Sequence, residues 1–502
     1  MTKSITIIGA GFAGLACGCY AQINGFKSTI IENQSNSGGL ACEWQRNGHS
    51  INMNAFPYIL GMTEEFYEYN RLWKTVGVMP DVKFDLINTY MKIVDINSDK
   101  NINFSKKIDD FEKELLDISP EDNLLIKKIV CDIRKLSKYP KIVLPSRDKM
   151  TFSKYLELIL KNGIGIFLLL TRLQKQSLAD LSNRFKSPFL KDAFKRIFAD
   201  PEDTVILVPL SMMAYGNSFG TPVGGNSAIF EAIEKRYLEL GGNIIYNNKI
   251  IDARIEGKSI KSLISEKGNK IDSDYYVWTG DLFFLLNDVL KGKYPVKEIN
   301  RVFKITKPAS SCIMIHIQPN SNFKIDYPEN LIWTSTPLIE PIQIADEKHL
   351  FFQYSVKRIQ NRQNSNQTVI NAYLVSKFES WLGYTRGSSE YIEKKEKIKS
   401  VITESLDKIY PDLKKSIEYA EAATPLTWHK YTMNWKGSAH GFCYNPQLAK
   451  MTGGLRQKFD KLTNLYMAGE WINPPAGVFT AAYSGKSSIE LICEKEKIKF
   501  KE

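Results

Sequence analysis

Three glycines and one glutamate near the start of the chain have the types and spacing of a nucleotide-binding loop. Gly9, Gly11 and Gly14 follow an apolar stretch at residues 5–8, and Glu32 closes the next apolar stretch. A glycine turn before a helix lets the backbone approach a pyrophosphate closely, and a carboxylate one strand later accepts from ribose hydroxyls and repels a 2′-phosphate. Glycines alone would be a weak signal, but with both strands, the helix and the acid they predict a dinucleotide site.

A second segment of small residues lies near the other end of the sequence. Residues 464–485 ("NLYMAGEWINPPAGVFTAAYSG") run from an apolar strand through Gly469 and Glu470 into an alanine-rich helix that begins near Gly477. This strand, turn and helix start also suit an anionic cofactor. The first loop can hold only the diphosphate and the adenosine, and Gly39, in a diglycine just beyond it, extends the contact along the cofactor. A distant segment that closes over a ribityl chain and flavin ring favours FAD over a nicotinamide.

The elements that position these residues begin with a βαβ unit. A buried strand, a helix of small residues and a second strand with short links predict a parallel sheet. Further along, residues 311–318 alternate between a core face and a softer, partly polar face. The predicted elements are strands at 5–8, 28–32, 243–256, 260–265 and 274–278, helices at 13–25, 226–240 and 390–409, a mostly helical stretch over about 64–220, a β-rich region at about 308–375 and a loop-like segment at 424–441.

Composition limits the classes of function. The chain has 502 residues, of which 43% are hydrophobic, and a net charge of +12 carried mostly by lysine. The lysines are spread without an arginine-rich arm or a nucleic-acid-binding signature, so we expect no nucleic-acid partner. Seven scattered cysteines predict neither a disulfide framework nor a metal site and fit a reducing cytosol. The N-terminal sequence lacks the pattern of a cleavable signal, and no apolar run is long enough to span a bilayer.

Four segments together resemble one family. Residues 7–39, 221–250, 424–441 and 464–485 are similar to the phytoene desaturase and carotenoid isomerase type of FAD-dependent oxidoreductase, within the amine-oxidase-like flavoproteins. The resemblance covers nearly the whole chain, and its second and fourth segments are the more specific. It implies bound FAD, with the backbone of Ile250 beside the adenine. The implied cofactor-binding residues are Gly9, Gly11, Ala13, Gly14, Glu32, Asn33, Gly39, Leu40, Ile250, Gly469, Glu470, Gly477 and Val478.

Two positions depart from the family pattern where the substrate would meet the flavin. Residues 51–56 ("INMNAF") replace a Phe-Asp-x-Gly-Pro type of segment, and His440 stands in a "GSAHG" sequence where the family often has an aromatic residue. His440 could accept the proton that is lost when a neighbouring carbon gives a hydride to flavin N5, or it could be a hydrogen-bonded structural histidine. His429 is a second candidate of this kind. His316 either lines a substrate cavity or lies satisfied in the core.

Residues 155–175 ("YLELILKNGIGIFLLLTRLQK") are apolar in the middle and basic around it. The segment is too short and too interrupted to span a bilayer. Two interpretations stay open. A helix in the membrane interface would suit an enzyme that draws a lipophilic substrate from a membrane, and a core helix with charged ends would explain the same pattern.

The sequence therefore predicts an α/β flavoprotein with a Rossmann-like FAD-binding domain of the discontinuous GR2 type and a mixed-sheet substrate domain capped by helices. The predicted function is dehydrogenation of a carbon–carbon bond in an apolar, isoprenoid or polyene substrate, by hydride transfer to flavin N5. We expect a lipophilic small-molecule partner, a cytoplasmic location with contact at a membrane surface, and no metal. The predicted boundaries are 1–63, 221–300 and 440–502 for the FAD-binding domain, 64–220 and 301–439 for the substrate domain, and 151–175 for the helical region that could face a membrane.

Three other functions remain open at this point. A carotenoid-type cis–trans isomerase would use the same site with reduced FAD and no net redox change. An amine oxidase would use the same flavin chemistry on a carbon–nitrogen bond and would be supported by a smaller, aromatic-lined pocket. A prenyl-binding escort protein would keep the fold without catalysing flavin chemistry, but such a protein has no need of the intact glycine loop, Glu32 and Glu470.

Overall fold

The structure, a computed structural model, describes the chain with short gaps. It covers residues 2–41, 43–51, 59–60, 67–98, 100–139, 143–223, 225–326, 331–360, 366–451, 454–473 and 477–502. Residues 52–56 of the departing segment and 474–476 of the C-terminal loop lie outside the described residues. The strands, numbered β1 to β20 in chain order, are Ser4–Ile8, Lys27–Ile31, Trp44–Arg46, His49–Ile51, Ile59–Leu60, Phe84–Leu86, Thr89–Val94, Asn101–Ser105, Phe219–Pro222, Asn243–Ile245, Ile250–Glu256, Ser259–Ser265, Lys270–Asp272, Tyr275–Trp278, Cys312–Pro319, Leu331–Ile344, Glu347–Gln360, Asn366–Val375, Ile417–Ala423 and Leu465–Met467.

The helices lie between these strands and over the faces of their sheets. None of the helices that the structure describes is long and apolar enough to cross a membrane. Numbered α1 to α16 in chain order, they are Phe12–Ile23, Tyr67–Thr75, Ile108–Ile118, Asn123–Ser137, Phe152–Asn162, Ile164–Gln174, Leu178–Ser182, Pro188–Lys195, Leu207–Ala214, Ser227–Glu239, Leu282–Phe284, Lys297–Ile305, Ser389–Ile409, Leu413–Ser416, Pro425–Thr432 and Val478–Lys495.

A parallel sheet carries the glycine loop. Within the described residues its strand order is β10-β2-β1-β14-β20. Ile7 of β1 lies opposite Ile30 of β2 and Val277 of β14, and all three side chains are fully buried, as expected for parallel strands covered on both faces. Helices α1 and α16 join the core cluster around Ile7. They pack so closely that a Cβ on Gly485 would lie 2.2 Å from the Ala13 oxygen. Strands from the beginning, middle and end of the chain thus meet in one sheet.

A larger mixed sheet forms the second layer. Its order in the described part of the chain is β19-β15-β18-β17-β16-β7-β8, with antiparallel neighbours except for the parallel pair β16 and β7. Strand β15 is buried along its whole length. On one face Ile313 packs in a cluster with α13, and on the other Met314 packs with the helical cap around α4, α6 and α9. The face that the sequence pattern makes softer is therefore also core, because the helical cap covers it.

The helical cap contains strands that the mostly helical prediction for residues 64–220 missed. Strands β6, β7 and β8 lie there, and β7 and β8 extend the mixed sheet by an antiparallel pair. Ile93 and Ile102 face each other in that pair, and both are fully buried. The strands form because this edge of the sheet supplies an apolar surface that local helix propensity does not reveal.

The segment predicted to be loop-like, 424–441, begins with a helix. Helix α15 covers Pro425–Thr432, with Thr424 at its N-cap in a reciprocal capping pair with Thr427. A proline in the first turn and a threonine cap are favourable helix-start signals, and the prediction overlooked them.

The predicted fold class is confirmed, since a Rossmann-like parallel sheet lies beside a mixed sheet capped by helices.

Candidate functional site

The glycine loop joins β1 to α1 in a conformation that requires glycine. Gly9 has a φ of +105°, and its N–H donates to the Ile31 oxygen at 2.8 Å, which ties the loop to β2. Gly11 is the N-cap of α1, and no side chain among the described residues caps this helix start. The first N–H groups of α1 are thus available to an anion, and the helix dipole favours negative charge at the same place.

Two glycine contacts set the width of this loop. Gly39 has a φ of +59°, and a Cβ there would lie 3.2 Å from the Gly11 Cα, so the two backbones nearly touch. At Gly14 a Cβ would lie 1.8 Å from the Gly9 oxygen. Gly14 is outside the cavity lining, and the structure places it at the contact between α1 and the loop.

Glu32 lies across the loop from the start of α1. Its carboxylate accepts from the Ala10 N–H at 2.6 Å and from the Gln34 N–H at 2.8 Å. Burial raises the pKa of this carboxyl group, while those backbone donors lower it. Each oxygen keeps a lone pair for a further donor. Glu32 also bonds through its backbone oxygen to the Asn248 N–H at 2.9 Å, which brings Ile250 and the start of β11 to the same site.

The C-terminal segment closes the opposite side. Gly469 has a φ of +101°, and its N–H donates to the Ser484 Oγ atom of α16 at 2.7 Å. Gly477 begins α16 without a side-chain cap within the described residues. Next to Gly469, the Oε2 atom of Glu470 is enclosed and has no hydrogen-bond partner in the part of the chain that the structure describes. Burial raises the pKa of Glu470 to about 7.

One cavity of about 1350 Å³ connects these parts. Of the residues predicted to bind the cofactor, it is lined by all except Gly14, and His440 lines it as well. Residues that are far apart in sequence are thus brought together at one end of the cavity. The members of this cofactor-end group are Gly9, Gly11, Ala13, Glu32, Asn33, Gly39, Leu40, Ile250, Gly469, Glu470, Gly477 and Val478.

The rest of the cavity is mostly apolar and lies between the helical cap and the mixed sheet. Phe167 and Leu170 of α6 line one side, and Met314 of β15 and Tyr373 of β18 line the other. Trp428 of α15 forms part of this wall and donates from Nε1 to the Cys312 oxygen at 3.1 Å. Local sequence gives no signal for this compartment, because its wall combines side chains from several elements that are far apart in sequence.

His440 lies in the cavity wall near the C-terminal segment. It precedes Gly441, where a Cβ would lie 2.5 Å from the Glu470 oxygen, so the two backbones are in close contact. The Nδ1 atom of His440 has no partner within the described residues. Burial lowers the pKa of this imidazole, and the negative charge of Asp200 acts in the opposite direction. His440 is therefore a neutral imidazole around neutral pH and can accept a proton.

Asp200 is a cavity residue that the sequence analysis missed. Its carboxylate accepts from the Ser310 N–H at 2.9 Å and from the Ser310 hydroxyl at 2.7 Å. Lys307 Nζ lies 3.1 Å from the same carboxylate. This buried charge is thus paired and fixed in the wall that also contains His440. Nothing in the local "FADPED" sequence distinguishes Asp200 from a surface acid, since its partners are a hundred residues away.

The other histidine candidates lie away from the cavity lining. His316 is fully buried, with Nδ1 2.9 Å from the Asn371 Oδ1 atom, so it lies in the core, as one of its two interpretations predicts. His429 Nδ1 lies 2.9 Å from the Asn434 oxygen, beside the Phe378 ring. Within the described residues, no group of three or more His, Cys, Asp or Glu side chains is arranged to hold a metal ion.

The residues at the glycine-lined end of the cavity fit FAD. The uncapped start of α1 offers N–H groups to a diphosphate, and Glu32 offers lone pairs to ribose hydroxyls. The enclosed Oε2 atom of Glu470 needs a donor that the described chain does not supply, and an enclosed acceptor of this kind indicates a bound group. The lining continues from the glycine loop to Gly469, Glu470 and Val478, which leaves room for a flavin beyond the adenosine and diphosphate.

Comparisons with known proteins agree with this geometry. Residues 7–75 match the family model for an NAD(P)-binding Rossmann-like domain. The chain is 23% identical to a 4,4′-diapophytoene desaturase (4,4′-diapolycopene-forming) of Methylomonas sp., over 100% of this chain and 97% of the relative. It is 21% identical to the chloroplastic prolycopene isomerase 2 of an Oncidium hybrid cultivar, over 95% of this chain and 82% of the relative.

Solved structures share the fold over the full length. A putrescine oxidase triple mutant superposes with a TM-score of 0.62 at 10% identity, covering 98% of this chain and 99% of the oxidase. The full-length similarities to carotenoid desaturases and isomerases and the shared fold confirm the resemblance found in the motifs. The chain is thus similar over its full length to phytoene desaturase-like, FAD-dependent oxidoreductases, and it shares the fold of the amine-oxidase-like flavoproteins.

Proposed function

We propose that the protein dehydrogenates a carbon–carbon single bond of an apolar polyene or other isoprenoid substrate. The observation that carries this proposal is the cavity of about 1350 Å³, which joins the glycine loop and Glu470 to a mostly apolar compartment lined by residues such as Phe167 and Leu170. A large, mostly apolar cavity suits a long hydrocarbon better than a small polar molecule. The similarity to a diapophytoene desaturase supports the same substrate class.

The cofactor would be held by both chain ends. In this proposal, the start of α1 and Gly39 bind the diphosphate, Glu32 binds the adenosine ribose, and Glu470 accepts from a hydroxyl of the ribityl chain. The cofactor-end group defined above supplies the remaining contacts. The segments 1–63, 221–300 and 440–502 would then form the FAD-binding domain, which the parallel sheet supports because its strands come from these three segments.

The chain's own residues would position the substrate and remove its proton. FAD, when bound, supplies the acceptor for a hydride at flavin N5. Apolar side chains of α6, α9 and β15 would align the chain of the substrate and exclude water from the reacting carbon. His440 would take the proton from the adjacent carbon, because burial keeps its imidazole neutral and Nδ1 has no partner within the described residues. The negative charge of Asp200 raises the pKa of His440, against the effect of burial, and would stabilise the imidazolium that forms.

A cis–trans isomerase is the second candidate. Its support is the similarity to prolycopene isomerase over 95% of the chain, and it would use the same cavity with reduced FAD. The amine oxidase alternative has less support. Fold likeness at 10% identity does not extend to substrate, and the large apolar compartment differs from the small aromatic-lined pocket that we would expect for an amine.

The decisive experiment is an absorbance spectrum of the purified protein, followed by anaerobic addition of detergent-dispersed phytoene and other polyenes. Bleaching of the oxidised flavin bands with formation of a more conjugated product would establish the desaturase. Geometric conversion of a polyene with the reduced protein, without bleaching of the oxidised form, would indicate the isomerase. A protein that shows no flavin after reconstitution with FAD would contradict both.

The role of His440 has its own test. A His440→Gln variant should keep its FAD spectrum and lose about 10²-fold in the rate of flavin bleaching. For the unmodified protein, the rate of flavin bleaching should decrease when the pH is lowered past the pKa of His440, because the imidazole is then protonated. This pH dependence should be absent in the variant. A structural role would change thermal stability and leave the pH profile in place.

Cellular location is also part of the proposal. The described cysteines, such as the buried Cys17 and Cys19 and the exposed Cys131, are free, which supports a reducing compartment such as the cytoplasm. A lipophilic substrate would be supplied from a membrane, and contact with a membrane surface would make that transfer direct.

A further inference from the structure

Part of the cavity lining lies between the start of α13 and helix α15 and reaches the surface. Lys430 and Tyr431 of α15 line it, together with Arg386 just before α13 and Lys395 within α13. Tyr431 is 42% exposed, and its backbone oxygen accepts from Gln34 Nε2 at 2.7 Å, which ties this region to the cofactor end of the cavity. We call Arg386, Lys395, Lys430 and Tyr431 the basic groove.

Two cations of the basic groove share one aromatic ring. The Arg386 guanidinium lies 5.5 Å from the centroid of the Tyr431 ring, and Lys430 Nζ lies 5.6 Å from the same centroid. Lys395 Nζ lies 5.6 Å from the centroid of the Tyr391 ring. Contact with an aromatic ring stabilises each cation, but it does not remove the repulsion between neighbouring positive charges. A negative charge in the groove would therefore stabilise this arrangement.

The charges of the basic groove are not neutralised by the part of the chain that the structure describes. Arg386, Lys395 and Lys430 form no ion pair there, and Glu421, an acidic residue of the same cavity lining, pairs with Arg46 instead. The Nε atom of Arg386 is enclosed and has no hydrogen-bond partner among the described residues. Enclosed polar groups of this kind normally have a partner, so Arg386 indicates a bound anion.

Helix α15 connects the basic groove to the apolar compartment. Trp428 belongs to the wall of that compartment, and Tyr431 of the groove lies three positions further along the same helix. Residues at this spacing lie on one face of a helix, about 5 Å apart along its axis. A molecule can therefore place a hydrocarbon chain in the apolar compartment and a charged group at one of its ends in the basic groove.

We propose that the basic groove binds the anionic end group, a diphosphate or a carboxylate, of a substrate whose isoprenoid chain lies in the apolar compartment. This inference rests on the proposed function, since it names the kind of isoprenoid on which the flavin would act. Hydrogen bonds from arginine and lysine to such anions are among the strong ones in proteins. The diphosphate of FAD is assigned to the start of α1, so it does not account for these cations, and a purely hydrocarbon substrate would leave them without a partner.

Three ligands with the same chain and different end groups test the groove. Geranylgeranyl diphosphate, geranylgeranoic acid and geranylgeraniol are titrated into the FAD-loaded protein below their micelle-forming concentrations, and binding is measured by calorimetry and by the shift of the flavin absorbance bands. At least one of the two anions should bind about 10- to 100-fold more tightly than the neutral alcohol, and salt should reduce this preference. Tighter binding of the diphosphate would assign the groove to phosphate esters of isoprenoids, and tighter binding of the acid would assign it to carboxylates.

A double variant, Arg386→Gln with Lys430→Gln, removes two of the three cations. It should lose about 10- to 100-fold in affinity for the preferred anion and bind geranylgeraniol like the unmodified protein. The matched control is Lys235→Gln with Arg254→Gln, which removes the same charge at exposed positions outside the cavity lining and should leave all three affinities unchanged. Flavin content and Tm should stay the same in both double variants.

Three results would overturn the anion site. One is equal affinity of the unmodified protein for the three ligands. Another is binding of inorganic diphosphate or ADP as tight as that of geranylgeranyl diphosphate, which would assign the groove to an anion without an isoprenoid chain. The third is a lower affinity for FAD in the Arg386→Gln and Lys430→Gln variant, which would assign these cations to the cofactor.

Turnover separates this inference from the function on which it rests. With an anionic isoprenoid as substrate, the Arg386→Gln and Lys430→Gln variant should show a higher KM and an unchanged kcat, because the groove binds a group that takes no part in the reaction. Binding of an anionic isoprenoid that depends on these two cations, without oxidation or isomerisation of any polyene, would contradict the proposed function and leave the anion site intact. Oxidation of phytoene by a protein that shows no preference for either anion would support the proposed function and overturn the site.

Discussion

The two ends of the cavity are built from different parts of the chain. At the cofactor end the wall is largely backbone, with Gly9, Gly39 and Gly469 in conformations at positive φ and a helix start that offers N–H groups. At the apolar end the wall consists of side chains, such as Phe167 and Met314, from helices and strands far apart in sequence. A backbone wall fixes one ligand shape, whereas a side-chain wall can change its shape by substitution. The cofactor end should therefore tolerate few changes and the apolar end many.

Gly14→Ala is the substitution at the cofactor end for which we expect the largest effect on stability and flavin content. The added Cβ would lie 1.8 Å from the Gly9 oxygen, and because that neighbour is backbone, α1 or the loop must move. We expect a loss of about 3 kcal/mol in unfolding free energy and a protein that is purified without flavin. The measurements are the ratio of flavin to protein absorbance and a thermal melt.

Gly383→Ala is the matched control for this variant. A Cβ at Gly383 meets nothing within 4 Å, so flavin content and Tm should stay as they are. A Gly14→Ala protein with full flavin content would show that the backbone at the cofactor end adapts, and the contrast between the two ends would then be lost.

Glu32→Ala should have the next largest effect. The change removes the acceptor of the Ala10 and Gln34 N–H groups as well as the acceptor for the ribose. Hydrogen bonds to a charged group contribute about 1.5–3 kcal/mol, so FAD affinity should fall about 10- to 100-fold. Titration of apoprotein with FAD, followed by flavin fluorescence, gives the Kd. Glu256→Ala, which removes an exposed partner of Arg254, should leave the Kd unchanged.

Glu470→Gln tests the enclosed carboxyl group at the cofactor end. Burial raises the Glu470 pKa from 4.5 to about 7, so the folded apoprotein favours the protonated form. Its contribution to stability is complete below about pH 4.5 and is lost as the pH rises through about 7. Denaturant unfolding of the apoprotein across this range should show a loss of about 3 kcal/mol, which the Gln variant should lack.

FAD binding gives a second test of Glu470, because it should change the pKa of this carboxyl group. A hydroxyl that donates to Glu470 favours the charged form and lowers its pKa, so FAD binding near pH 7 should release a proton. Calorimetric titration in buffers of different ionisation enthalpy measures that release. Proton release that persists in Glu470→Gln would assign it to another group.

The contrast between the two ends also explains how much the sequence could predict. The glycine loop can be predicted from the sequence because a tight turn, a close backbone approach and a helix start each require a particular residue type at a fixed spacing, as Gly9 and Gly11 show. The C-terminal segment can be predicted for the same reason, since its turn requires a glycine at position 469. Of the residues named from the sequence for the cofactor, Gly14 alone lies outside the cavity lining, and it does so because its missing side chain serves helix packing.

The apolar end could not be predicted in this way. Its wall depends on which helices lie against the mixed sheet, and helix α15, which contributes Trp428 to that wall, was missed. Asp200 shows the limit most clearly, since its partners Ser310 and Lys307 adjoin it only after folding. Gly163, with a φ of +84°, divides the apolar stretch at residues 155–175 into α5 and α6, and which of their side chains are exposed and which line the cavity depends on packing against the cap.

Leu170→Phe should have the smallest effect, and it tests whether the apolar end of the cavity tolerates substitution. Leu170 is half-buried in α6 and lines the apolar compartment, so a larger ring narrows the space for substrate without touching the cofactor end. We expect full flavin content, an unchanged Tm and a shift of no more than about tenfold in kcat/KM between longer and shorter polyenes. Leu238→Phe, at an exposed position on α10, should leave this ratio unchanged. Loss of flavin in Leu170→Phe would mean that the two ends are mechanically coupled, because a side chain in the apolar wall would then determine whether the backbone wall can close around its ligand.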